Sequence, residues 1–85
     1  MPKVVVYTTP YCPYCARAKL LLKSKSADFE EIDVSDYERR AELVERTRWP
    51  TVPQIFIGTE FVGGYDELQA LNDEGRLDAM LAPVA

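Results

Sequence analysis

Cys12 and Cys15, the chain's two cysteines, stand three positions apart in Cys12-Pro13-Tyr14-Cys15. They follow the apolar run Val4-Val5-Val6 and head the segment Ala16-Arg17-Ala18-Lys19-Leu20-Leu21-Leu22. A strand that delivers a C-x-x-C to the start of a helix is a dithiol redox arrangement. Amide donors and the positive end of the helix favour the thiolate of Cys12, the form that attacks a disulfide. Cys15, about one helical turn on, is then placed to attack the mixed disulfide that results. Other roles fit less well. A tetrahedral zinc site takes about four ligands; two cysteines and no histidine would leave carboxylates or a second chain to complete it. A structural disulfide across so short a loop constrains the unfolded chain little. No metal site is expected.

The rest of the chain has to hold this pair in place. Lys3 to Thr8 is rich in β-branched residues without clean alternation, which predicts a central strand buried on both faces. Thr9-Pro10-Tyr11 breaks it. From Pro13, tolerated in a first turn because its missing donor would be orphaned there, a helix is expected to about Lys25. Its leucines should pack, with Arg17, Lys19 and Lys23 in water. Phe29 to Val34 reads as a second strand, and Ser35-Asp36-Tyr37-Glu38 has the S-x-x-E form of a capping box. In the helix that follows, Tyr37, Ala41 and Val44 share an apolar face, and Glu38, Arg39, Arg40, Glu42, Glu45 and Arg46 make a solvated one.

Gln54-Ile55-Phe56-Ile57 and Glu60-Phe61-Val62 flank Gly58-Thr59 as a hairpin closed by Gly63-Gly64. Asp66 and Glu67 then stand where a helix start favours acids, ahead of Leu68 and Leu71 at helical spacing. Beyond Gly75, Leu77, Met80 and Leu81 suggest a short terminal helical segment. The order β-α-β-α-β-β-α predicts an α/β fold with a four-stranded mixed sheet covered by helices. A right-handed crossover makes the first two strands parallel, and the hairpin adds an antiparallel pair.

Composition narrows the partners. At 85 residues one domain, 1–85, is expected, with a modest core: chains of this size bury roughly 60–65% of their unfolded surface. A net charge of −4 gives no basic field for phosphate backbones, so nucleic acid is not an expected partner. The apolar stretches fall far short of the ~20 residues of a membrane span, and Met1-Pro2-Lys3 leads into a strand pattern rather than a signal segment. A reducing cytoplasm and a reactive thiol pair are the expectation.

With these elements placed, the chain resembles the glutaredoxins, the small thioredoxin-fold oxidoreductases that use glutathione. The residues that carry the resemblance are Val5-Val6-Tyr7-Thr8, Cys12-Pro13-Tyr14-Cys15, Thr51-Val52-Pro53-Gln54-Ile55-Phe56-Ile57, and Gly63-Gly64 followed by Asp66. It implies Cys12 as attacking thiolate and Cys15 as resolving thiol, the two forming the redox-active disulfide. It also implies a cis Val52-Pro53 bond facing the dithiol, and a glutathione groove made by Tyr14, Thr51, Val52, Pro53, Gly64, Tyr65 and Asp66. In that groove the backbone of Val52 would pair with the cysteinyl peptide, the amides near Tyr65 and Asp66 would hold the γ-glutamyl carboxylate, and the Asp66 side chain its ammonium. On the residues alone, Pro53 could also begin an edge strand, and Asp66 could be a simple helix N-terminal acid.

Glutathione would be the reducing co-substrate with no bound cofactor, the clients glutathionylated or disulfide-bonded proteins, and the protein a monomer. Two positions depart from the common pattern: Thr9 stands where many glutaredoxins have Lys, and Tyr65 where the family often has Cys or Ser. Trp49-Pro50-Thr51 is similar to the monothiol glutaredoxins that carry iron–sulfur clusters with glutathione, although their motif is C-G-F-S. Trp49 also suits a packing residue at the end of the second helix. A further alternative is a protein reduced by thioredoxin reductase.

Overall fold

The computed structural model describes residues 2–82. Met1, and Pro83, Val84 and Ala85 at the tail of the expected domain, lie outside the described residues. Four strands, β1 (Val4–Thr8), β2 (Glu30–Asp33), β3 (Gln54–Ile57) and β4 (Glu60–Gly63), form one sheet in the order β2-β1-β3-β4. β1 pairs parallel with β2 and antiparallel with β3, and β3 pairs antiparallel with β4. This is the expected mixed sheet. Its helices are α1 (Pro13–Ser24), α2 (Tyr37–Thr47), α3 (Tyr65–Asp73) and α4 (Leu77–Leu81).

Successive strand residues point to opposite faces, and β1 shows the consequence. Val4, Val6 and Thr8 are buried, whereas Val5 and Tyr7 are half-buried. Val4 and Val6 join Ile55 and Ile57 of β3 in one core with Ala18 and Leu22 of α1, Leu68 of α3, and Leu77 and Leu81 of α4, while the buried Thr8 donates to Glu31. Each leucine so buried contributes about 1.5–3 kcal/mol. The second face is aromatic: Tyr7 stacks edge-on with Phe56 at 5.8 Å, and Phe56 meets Phe61 at 5.0 Å. Arg46 of α2 donates to Tyr7 Oη at 3.4 Å, which brings α2 to this face.

Several local expectations need correction. The cap of α2 is Asp36, not Ser35: the Asp36 carboxylate accepts from Arg39 N, while Ser35 N donates to Asp33 Oδ1 in a turn of its own. The Tyr37-Ala41-Val44 stripe does not enter the core, since Tyr37 is 83% exposed. Only one stripe of a helix can face the sheet, and Leu43 with Arg46 occupies it, offset by about 100° per residue from Val44. Leu20 is likewise exposed, because Cys15, Ala18 and Leu22 define the buried side of α1. Lys19 is not free in water but ion-paired with Glu31 at 2.9 Å. The short terminal helical segment expected beyond Gly75 is present as α4, tied to the end of α1 by Lys25 and Asp78 at 3.0 Å.

Candidate active site

Topology gathers the site before any side chain is considered. β1 and β4 both run antiparallel to β3 and so point the same way. Their ends therefore release α1 and α3 from one edge of the sheet, and the same edge receives the segment that enters β3. Cys12, Gly64 and the Thr51-Val52-Pro53 turn meet there. Arg48, in the left-handed region at φ 60°, ends α2 and turns the chain towards that edge. Gln54, fully buried, donates through Nε2 to Trp49 O at 2.8 Å and Thr51 O at 3.3 Å, pinning the turn. The Val52-Pro53 peptide is cis, and Pro53 is buried.

Cys12 is the N-cap of α1, with Pro13 in the first turn. Its Sγ accepts from Cys15 N at 3.3 Å and lies 3.9 Å from Val52 O, to which the thiol donates. The Cys15 amide and the N-terminal end of α1 both face this sulfur. Cys12 is half-buried; Cys15 is 2% exposed. Burial first, and the hydrogen bond with Cys12 second, push the Cys15 thiol from 9.0 up to about 12. An acid whose pKa is raised by folding is held neutral by the fold. The stabilisation is complete below the unfolded value and is lost as pH rises from about 9 towards about 12. Alkylation of the reduced protein with iodoacetamide at neutral pH is therefore expected to modify Cys12 alone, with Cys15 labelled only as pH climbs well above 9. Equal labelling of both at neutral pH would contradict this environment.

All seven residues expected to form a groove line one, of about 370 Å³: Tyr14, Thr51, Val52, Pro53, Gly64, Tyr65 and Asp66. Tyr14 and Tyr65 face each other across it with ring centroids 6.4 Å apart. Cys12 borders the groove through Val52 and lines a neighbouring cleft of about 730 Å³ that also holds Thr9. Asp66 is exposed in the first turn of α3.

Two further lining residues, Trp49 and Glu67, were not assigned to the site from sequence. Trp49 packs edge-on against Phe61 at 5.6 Å, the packing role its position suggested. Glu67 Oε1 accepts from Gly64 N at 3.0 Å; its place three residues after the N-cap was a signal for this contact. Arg17 places its guanidinium 5.4 Å from the Tyr14 ring centroid, a cation–π contact at the groove rim. Among the described residues, no cluster of three or more His, Cys, Asp or Glu could hold a metal ion, and no helix is long and apolar enough to cross a membrane.

Comparison with known proteins gives a consistent picture. The glutaredoxin family model matches residues 4–62. Over 83 residues the chain is 54% identical to a glutaredoxin of Pseudomonas aeruginosa, covering 96% of this chain and 99% of that one. The solution structure of glutaredoxin from Brucella melitensis matches with a TM-score of 0.85 at 58% identity, covering 95% of this chain and 89% of that one. A crystal structure of a buckwheat glutaredoxin–glutathione complex matches with a TM-score of 0.85 at 33% identity, covering 92% of this chain and 74% of that one.

Proposed function

Because this chain belongs to the glutaredoxin family and is a thiol–disulfide oxidoreductase, we propose that it is a glutathione-dependent dithiol enzyme working through Cys12-Pro13-Tyr14-Cys15. It reduces protein–glutathione mixed disulfides and protein disulfides as a monomer, in the reducing cytoplasm where such dithiols are maintained. The observation that carries this reading is the placement of Cys12 Sγ between the Cys15 amide and the Val52 carbonyl, beside a groove lined by Tyr14, Val52, Gly64 and Asp66. The glutathione complex of the buckwheat relative supports the choice of thiol.

On a glutathionylated client, Cys12 thiolate attacks the glutathione sulfur. The bond from glutathione to the client breaks, and the client leaves as a thiolate that takes a proton from solvent. A second glutathione, as its thiolate, then attacks the glutathione sulfur bound to Cys12, forming glutathione disulfide and returning the Cys12 thiolate. On a client disulfide, Cys12 forms a mixed disulfide with the client. Cys15 displaces the client from it, closing the Cys12–Cys15 disulfide, which two glutathiones reopen.

The Val52 amide and carbonyl are placed for strand-like pairing with glutathione's cysteinyl unit. Gly64, having no side chain, leaves the amides at the start of α3 approachable by a carboxylate, and Asp66 offers the anion for the ammonium.

The test is turnover of a glutathionylated peptide by glutathione, with and without the protein, together with Asp66→Ala. The variant should raise KM for glutathione by less than tenfold, about 1 kcal/mol for one charge-assisted contact at an exposed rim, and change kcat less. An unchanged KM would return Asp66 to the role of a helix N-terminal acid, and no turnover by the parent protein would reject the reading as a whole.

A further inference from the structure

The cleft beside the groove contains both thiols and a fixed cation. Cys12, Cys15 and Lys19 of α1 line it with Glu31 of β2. Lys19 follows Cys15 by four residues, the spacing that makes helical side chains neighbours. Its Nζ lies 2.9 Å from Glu31 Oε2, and the same oxygen accepts from Thr8 Oγ1 at 2.9 Å. Lysines at surfaces ordinarily swing free. This one, with 29% of its side chain exposed, is tethered to Glu31 of β2, which Thr8 of β1 fixes in turn, beside a buried thiol.

The titratable and charged groups facing the cleft are Cys12 and Lys19 from α1, Tyr11 from the preceding loop, and Glu31 and Asp33 from β2. Lys19 is the one cation among these lining residues. The two carboxylates have partners of their own: Lys19 and Thr8 for Glu31, and the Ser35 amide, at 2.7 Å, for Asp33. Lys19 and then Thr8 hold the Glu31 carboxyl below the usual range, which keeps it ionised as a tether. The Lys19 charge also acts on Cys15 itself, in the direction that favours the thiolate and against the effect of burial.

We propose that Lys19, held by Glu31, which Thr8 fixes in turn, is a positioning residue for the resolving step, placing a positive charge that stabilises Cys15 Sγ as it becomes a nucleophile. This rests on the assignment of Cys15 as the resolving thiol. In the step, the Cys15 thiol gives its proton to solvent in the cleft and its sulfur bonds to Cys12 Sγ. The bond from Cys12 Sγ to the client sulfur breaks, and the departing client thiolate is protonated by solvent. No oxidant or reductant beyond the client disulfide and the enzyme dithiol is needed. Reduction of a glutathionylated client by glutathione never uses Cys15 as nucleophile, so Lys19 separates the two activities.

The test compares Lys19→Met, which keeps the aliphatic stem and removes the charge, with Lys19→Arg, which keeps the charge. In a Cys12→Ser background, iodoacetamide labelling of Cys15 is followed against pH. Lys19→Met should move the labelling midpoint upward and slow labelling roughly three- to tenfold at fixed pH, the scale of one partly solvated charge, and Lys19→Arg should restore it. In the dithiol protein, Lys19→Met should slow reduction of a disulfide peptide by a similar factor and reduction of a glutathionylated peptide by less than about twofold. An unmoved Cys15 midpoint, or an equal fall in both reactions, overturns the proposal. Failure of the parent protein to turn over either substrate with glutathione would reject the glutathione reading instead, while the labelling midpoint, which needs neither glutathione nor client, still decides the role of Lys19.

Discussion

Cys12→Ser is expected to abolish exchange on every substrate, whereas Cys15→Ser retains reduction of glutathione mixed disulfides and loses most reduction of intramolecular protein disulfides. The asymmetry follows from exposure and position. Cys12 Sγ is the half-buried sulfur at the helix end, capped by the Cys15 amide, and a serine hydroxyl there cannot become the nucleophile at neutral pH. Serine is itself a favoured N-cap, so Cys12→Ser keeps the start of α1 satisfied and the loss is chemical rather than structural. Cys15 is 2% exposed and pushed up to about 12, so it cannot take over as attacking thiol. Its serine variant buries a hydroxyl that costs about 1–3 kcal/mol if it is left without a partner; Cys15→Ala, which removes that polar group, should show the same split of activities. Assays on a glutathionylated peptide and on a disulfide peptide read the two reactions separately. Activity surviving in Cys12→Ser but lost on both substrates in Cys15→Ser would reverse the roles.

Most of what builds this site is encoded locally, and that is why it was legible. Pro13, the cysteine spacing and the preceding valines placed the dithiol at the start of α1. Gly58, at the first central turn position between Gln54-Ile55-Phe56-Ile57 and Glu60-Phe61-Val62, placed the β3–β4 hairpin. The seven groove residues came from a resemblance rather than from periodicity, since Tyr14, the Val52 turn and Asp66 belong to three segments that only the sheet topology brings together. What stayed hidden depends on which neighbour wins a shared group. Ser35 and Asp36 are both good caps, and Asp33 decided between them by taking the Ser35 amide. Tyr37, Ala41 and Val44 form as good a stripe as the one centred on Leu43, and the Tyr7–Arg46 contact across 39 residues is invisible in either. Lys19 looked like a solvated residue because its partner Glu31 stands on a separate element, β2, twelve residues further along the chain.

Gly63→Ala is expected to destabilise the protein by about 2–5 kcal/mol, well beyond the cost of the same change at Gly75. Both glycines have positive φ, 111° and 74°, where an added Cβ costs about 1–2 kcal/mol through the backbone alone. At Gly75 that is the whole effect, since nothing lies within 4 Å of the new carbon. At Gly63 the carbon would meet Glu67 Cγ at 3.2 Å and the Trp49 ring at 3.3 Å. Neither neighbour gives easily: Trp49 is packed on Phe61 with its carbonyl held by Gln54, and Glu67 holds the Gly64 amide. Overpacking against such fixed groups adds about 1–3 kcal/mol. Urea midpoints at unchanged slope measure the difference. Because Trp49 and Glu67 also line the groove, Gly63→Ala should raise KM for glutathione in the folded fraction, and Gly75→Ala should leave it alone. Equal midpoints for the two variants would mean that the indole and the carboxylate yield to a methyl group, and that the tight floor under the groove does not hold its shape.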